Sequence, residues 1–170
     1  VDVSNASSAA WLPAAETAHL WVDRTLALAG LTCPSTVSLR YVDRSESREL
    51  NHRYRGKDKP TNVLSFPSEL PKTVRLALES NPLGDVVICP EVLADEARDQ
   101  HKPQQEHWAH LLIHGVLHLI GYDHQTAAEA DAMEALEIKI LADGGIGNPY
   151  LEPMQKSQHK ARQTTGKPQD

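Results

Sequence analysis

The chain has 170 residues, two cysteines and a formal net charge of −6, which suits one domain with a real core and excludes a disulfide-stapled scaffold and a uniformly basic nucleic-acid coat. Cys33 and Cys89 stand far apart in no C-x-x-C pattern, so a reducing compartment is expected. No apolar run approaches the length of a membrane span, and the N-terminus lacks the basic-then-apolar order of a signal peptide; the expectation is a cytoplasmic protein without a membrane partner.

In chain order, Val1 and Val3 permit a short edge strand. From Pro13 to Ala29, Ala18, Trp21, Val22, Thr25 and Ala29 recur at helical spacing before Gly30, predicting an amphipathic helix. Val37, Leu39 and Tyr41 alternate with polar residues, predicting a half-buried strand over 36–42. A short helix is expected from Ser45 to Tyr54. Gly56 and Pro60 then interrupt regular structure, and a strand resumes from Asn62 to Phe66 until Pro67 closes it. Residues 68–83, with Pro71, Asn81 and Pro82, read as a surface connection.

Gly84 to Cys89 is apolar apart from Asp85 and predicts a buried central strand. A carboxylate there needs a partner, so Asp85 is expected either to anchor a loop or to support a metal-binding histidine. Pro90 opens a charged helix to about Gln100, and Pro103 opens another that runs to Ile120 with Leu112, Val116 and Leu119 as its buried stripe. His107, His110, His114 and His118 follow a neighbouring stripe, so His110 can face the same site, although a place at the solvent edge is its more ordinary one. Met133, Leu136 and Ile140 mark a last amphipathic helix ended by Gly144 and Gly145. Residues 1–150 are expected to form the domain, and the polar segment 151–170 a disordered tail. Strands gathered before long helices favour an α+β fold, with a small mixed sheet of three or four strands on which the histidine-bearing helix packs.

The most informative stretch is HGVLHLIGYDH, from His114 to His124. On a helix His114 and His118 lie about 6 Å apart along the axis on one face, so both imidazoles can reach one ion. An i, i+4 histidine pair alone is commonly surface or core furniture. Here Gly121 follows, where a left-handed residue can end the helix and turn the chain back, bringing His124 toward the other two. Three neutral imidazoles suit zinc and leave a fourth position for water or substrate. The spacing copies the zinc-peptidase pattern H-E-x-x-H-x-x-G-x-x-H, but Gly115 replaces the glutamate that would be its general base. A helical glycine supplies no proton acceptor and more plausibly makes room for a close approach.

Positive charge is concentrated in two segments. Arg53, Arg55, Lys57 and Lys59 against Asp58 give 52–59 a formal +3; Lys156, Lys160, Arg162 and Lys167 against Asp170 give 155–170 another +3, leaving −12 for the rest. A basic loop on an acidic body is compatible with local phosphate binding.

Three segments together, RGKDKPTNVLSFP at 55–67, LGDVVICP at 83–90 and HWAHLLIHGVLHLIGYDH at 107–124, resemble the YbeY endoribonucleases, bacterial proteins of ribosomal RNA maturation. The resemblance runs over roughly residues 35–150. It implies an α+β fold with one metal per chain, usually taken as zinc. It also implies cleavage of single-stranded RNA, a role in maturing the small-subunit ribosomal RNA 3′ end and in removing defective ribosomes, and hence ribosomal RNA and the small ribosomal subunit as partners. Carried over by position, the metal histidines are His114, His118 and His124, and the functionally important arginine is Arg55. The tail after Pro153 is longer than the family requires.

The residues themselves allow the same chemistry. Zinc with neutral ligands keeps its charge and can polarise a phosphoryl oxygen, and an arginine can hold a phosphate bidentately. A metal hydroxide, Asp123 as base, or an RNA 2′-hydroxyl as nucleophile all fit. Tyr54, Phe66 and Tyr122 can stack on bases, although packing is their more ordinary role. Two other readings are a metal-dependent peptidase or hydrolase of other specificity, which Gly115 and the basic loop oppose, and a non-catalytic ribosome-binding factor whose zinc is structural, which needs a fourth protein ligand.

Overall fold

The computed structural model describes residues 1–151; from residue 152 onward the expected tail lies outside the described residues. The elements run β1 (Asp2–Ala6), α1 (Ala15–Leu28), β2 (Ser35–Val42), α2 (Arg44–Arg55), β3 (Val63–Pro67), α3 (Lys72–Leu76), β4 (Asn81–Ile88), α4 (Pro90–Asp99), α5 (Gln104–Leu119) and α6 (Ala127–Asp143). The four strands form one sheet in the order β1-β2-β4-β3. β1, β2 and β4 are parallel, and β3 joins β4 antiparallel at the edge. This is the mixed α+β sheet that the order of elements implies.

The alternation in β2 sends Val37, Leu39 and Tyr41 to one face, where they meet Val86 and Ile88 of β4 and the apolar sides of α1, α5 and α6. α5 is the centre of that layer. Trp108, Leu112, Ile113, Val116 and Leu117 are fully buried, each such burial contributing about 1.5–3 kcal/mol. Trp108 Nε1 donates to the Tyr41 hydroxyl at 3.1 Å, so the polar ends of both rings are satisfied inside the core. Burial raises the Tyr41 phenol to about 12 against the opposing effect of that bond, so it stays neutral and rigid at physiological pH.

Gly115 faces the sheet. A Cβ at this position would lie 2.8 Å from Val86 Cγ1 and 3.3 Å from both Ser65 Oγ and Val63 Cγ2, so the glycine lets α5 approach β3 and β4 closely. Ser65 Oγ uses that proximity to donate to the Gly115 carbonyl at 2.9 Å. Gly115→Ala is expected to cost about 1–3 kcal/mol through overpacking, read as a lowered urea midpoint at unchanged slope; an unchanged midpoint contradicts the tight approach.

Two expectations need correction. Residues 68–83 are not wholly a connection: α3 forms a short turn with no buried residue, and β4 starts at Asn81 rather than Gly84 because Ser35 and Thr36 of β2 pair with Asn81 and Pro82. Asp85 neither anchors a loop nor supports a histidine. It is exposed on the opposite face of the sheet, beside an open groove also lined by Ser38, Arg40 and Glu69. That face is covered only in part, by Leu50 of α2 above Val42, Leu64 and Val87, so a carboxylate within β4 reaches water.

Candidate metal centre and its groove

The end of α5 builds the centre. The Tyr122 amide donates to the Leu117 carbonyl at 3.1 Å and the Gly121 amide to the His118 carbonyl at 3.2 Å. This is the Schellman stop, and Gly121 takes the required left-handed backbone at φ 101°. The chain reverses, and Asp123 Oδ1 accepts the His124 amide at 2.8 Å to fix the return. The ligand atoms of His114, His118 and His124 consequently all lie within 4.8 Å of one another. His114 Nε2 and His118 Nε2 are 3.1 Å apart; two nitrogens sharing a tetrahedral zinc at about 2.0–2.1 Å would be separated by about 3.3 Å. Among the described residues no fourth His, Cys, Asp or Glu joins this group.

Glu137 of α6 completes the arrangement, and the sequence reading did not identify it. Its side chain is fully buried between α5 and α6. Oε1 meets His114 Nδ1 at 2.7 Å, Oε2 meets His110 Nε2 at 2.7 Å, and the Tyr150 hydroxyl donates to Oε2 as well. Burial raises the Glu137 carboxyl, but the bonds from His110 and His114, with Tyr150 adding to them, reverse the effect and bring it down to about 2. An ionised carboxylate only accepts, so His114 carries its proton on Nδ1 and turns the lone pair of Nε2 toward His118 and His124. His110 is therefore half-buried as part of this carboxylate's cradle rather than at the solvent edge. Burial, with the neighbouring His114 and His124 adding to it, holds His118 below its ordinary value, which favours the neutral form a metal needs. The donor set, the nitrogen separation and the oriented tautomer all fit a single zinc-type ion.

Arg55 is brought to the same place from the other side of the chain. Gly56, left-handed at φ 71°, ends α2 and releases the loop that leads into β3. Buried Ser47 accepts the Thr61 amide and donates to the Thr61 carbonyl, both at 2.9 Å. Asn51 Nδ2 donates to the Lys59 carbonyl at 2.8 Å, and Arg48 grips Asp58 through two bonds of 2.8 and 3.1 Å. The basic loop is thus fixed to α2. The Arg55 guanidinium donates to the Ser65 carbonyl at 2.8 Å and lies 5.6 Å from the centre of the Phe66 ring. Arg55 and His118 line one open groove of about 410 Å³ together with Ser65, Pro67, Gly121, Tyr122, Asp123 and Gln125. Phe66 and Tyr54 pack edge to face at 5.1 Å, and Tyr122 rests against the core.

Fold and cluster define an α+β protein with a candidate mononuclear metal centre beside an arginine-lined groove. A profile of the family described as Endoribonuclease YbeY matches residues 3–145, and the chain belongs to that family. Proteins named Endoribonuclease YbeY are 54% identical over 141 residues in Alkalilimnicola ehrlichii (83% of this chain, 84% of the relative), 49% over 155 in Colwellia psychrerythraea (89% and 97%) and 52% over 132 in Acinetobacter baylyi (77% and 83%). The solution structure of TM1509 from Thermotoga maritima shares the fold, with a TM-score of 0.52 at 22% identity, covering 88% of this chain and 98% of that one. No helix of the described residues is long and apolar enough to cross a membrane.

Proposed function

We propose that residues 1–150 act as a zinc-dependent endoribonuclease specific for single-stranded RNA, with one ion per chain held by His114, His118 and His124 and with Arg55 as the phosphate-binding catalytic group. The observation that carries the reading is that an imidazole of the cluster and the Arg55 guanidinium line one groove. A guanidinium held by a carbonyl oxygen rather than a carboxylate keeps its charge for a phosphate and can offer it two parallel bonds. Bound zinc supplies a Lewis acid for the phosphoryl oxygen and an acidified water. The protein's own part is to hold the phosphate with Arg55, in the groove beside the imidazoles that would hold the ion, as negative charge develops. Ser65 and Phe66 hold the guanidinium in register. Family membership and the names of the relatives support RNA as substrate.

The same reading places the protein in the cytoplasm, acting with the small ribosomal subunit on the 3′ end of its RNA and in ribosome quality control. The test is cleavage of a single-stranded RNA carrying the small-subunit 3′ end beside its fully duplex form. Metal-loaded protein is expected to cut the first at internal positions and spare the second; cutting neither, or both equally, contradicts the proposal. A peptidase would need a base at position 115, where a side chain would run into Val86, Ser65 and Val63 of the sheet.

Glu137 gives a second check. Glu137→Gln keeps the shape but removes the charge that orients His114, and is expected to weaken zinc binding about 10- to 100-fold. Competition against a chromophoric chelator reads this directly, and unchanged affinity would deny Glu137 its orienting role.

A further inference from the structure

The chain turns back after α6. Gly145 takes the left-handed backbone at φ 85°; its amide donates to the Ala142 carbonyl at 3.0 Å and the Ile146 amide to the Leu141 carbonyl at 2.8 Å, a Schellman stop like that of α5. Ile146 then packs against the core, and residues 146–150 form a strap that reaches α5 at His110. Two bonds fix its end: Lys102 Nζ donates to the Pro149 carbonyl at 2.8 Å, and the Tyr150 amide donates to Asn148 Oδ1 at 2.9 Å. The Tyr150 ring stands edge-on to His110 at 5.3 Å, and its hydroxyl donates to Glu137 Oε2. We propose that Tyr150 is a positioning residue for the metal centre: its hydroxyl holds Glu137 so that Oε1 stays on His114 Nδ1, and the strap thereby sets how tightly the ion is held. This rests on the zinc reading above and adds a residue that acts on the ligand set only through Glu137.

Counting donors and acceptors shows what the hydroxyl does. Glu137 is fully buried, so its oxygens need donors from the protein. Oε2 has two, His110 Nε2 at 2.7 Å and the Tyr150 hydroxyl; Oε1 has His114 Nδ1 at 2.7 Å. Two donors fill the two lone pairs of Oε2, which fixes the plane of the carboxylate and with it the direction in which Oε1 faces. The Tyr150 oxygen also lies 3.2 Å from His110 Nε2, closing a triangle of three polar groups. The phenol keeps its proton for this role: burial, with Glu137 adding to it, pushes it well above its ordinary value.

Tyr150 also stands, with His110 and His114, on the wall of an open pocket of about 350 Å³. Without the hydroxyl, water from that pocket becomes the second donor to Oε2. A water is free to move, whereas the hydroxyl is carried by a strap fixed at both ends, so the carboxylate loses its set orientation and His114 loses the partner that points Nε2 at the cluster.

The experiment measures the zinc affinity of the full chain by competition against a chromophoric chelator, for wild type, Tyr150→Phe, Glu137→Gln and the double variant. Tyr150→Phe keeps the ring and removes only the hydroxyl. It is expected to weaken zinc binding about 3- to 10-fold, short of the about 10- to 100-fold for Glu137→Gln, whose side chain meets the ligand directly. A glutamine has one acceptor oxygen for three donors, so Tyr150→Phe added to Glu137→Gln should change affinity less than about twofold, whereas a Tyr150 that acts by packing alone would give losses that multiply. Unchanged affinity in Tyr150→Phe protein overturns the proposal, and so do losses that multiply in the double variant. Wild-type protein that binds no zinc overturns the metal centre and this role together. Affinities that follow the expected pattern in protein that cuts no RNA uphold the role of Tyr150 and overturn the endoribonuclease reading alone.

Discussion

His118→Ala is expected to abolish RNA cleavage and stoichiometric zinc binding together while leaving the metal-free protein folded. Removing one of three donors should cost more affinity than the about 10- to 100-fold that follows loss of a supporting group, and the rate should fall by about 10³-fold or more, since the ion supplies several kcal/mol of charge stabilisation. The fold has little stake in this side chain. His118 is only half-buried, and its imidazole meets its cluster neighbour His114 at Nε2 and the backbone of Tyr122 rather than a side chain of the core. Burial and the two neighbouring imidazoles already disfavour its charged form, so truncation also removes a crowded, poorly solvated group. Zinc content, cleavage of the small-subunit 3′ end RNA and the melting temperature of metal-free protein check the three parts. Cleavage that survives loss of zinc would remove the metal from the mechanism, and a collapsed melting temperature would mean that the variant reports on folding instead.

How much of this centre could be read beforehand depends on the distance over which each contact acts. The His114–His118 pair and the glycine stop are local consequences of helical pitch and of backbone handedness, and the chain writes them within eleven residues. Glu137 is different: it is 23 residues beyond His114 on another helix, and its role exists only once α6 lies against α5. A signal was nevertheless available, because Glu137 stands four residues after Met133 and three before Ile140, on the buried stripe of α6. A carboxylate in that register has to find donors, and His110, His114 and Tyr150 are those donors. The same argument misled at Asp85. There the apolar run suggested a strand covered on both faces, whereas α2 shields only part of one face, and a strand's side-chain alternation alone does not say which face meets water. β1 was legible only as a possibility, since its five residues are all exposed and it exists through pairing with β2.

Arg55→Ala is expected to keep one zinc per chain and lose about 10²- to 10³-fold in kcat/KM for RNA, the scale on which a charge-stabilising donor acts. Arg55 is exposed, and its bonds in the fold go to the Ser65 and Tyr54 carbonyls, so its removal leaves no buried group unpaired and no metal donor disturbed. Arg55→Lys separates charge from shape. A lysine can supply the positive charge but not two parallel bonds in a plane, and it makes a weaker partner for the Phe66 ring, so it should recover only a small part of the lost rate. If the loss were purely one of RNA binding, Lys would recover most of it, KM would carry the effect, and the salt dependence of binding would drop by about 0.7 in slope for either route to a lost phosphate contact. Steady-state kinetics of the three proteins at matched salt therefore distinguish the two roles. A kcat that falls with Arg55→Ala and stays low with Arg55→Lys assigns the guanidinium to the transition state. A kcat that never changes restricts Arg55 to holding the strand and leaves the chemistry to the histidine-bound ion.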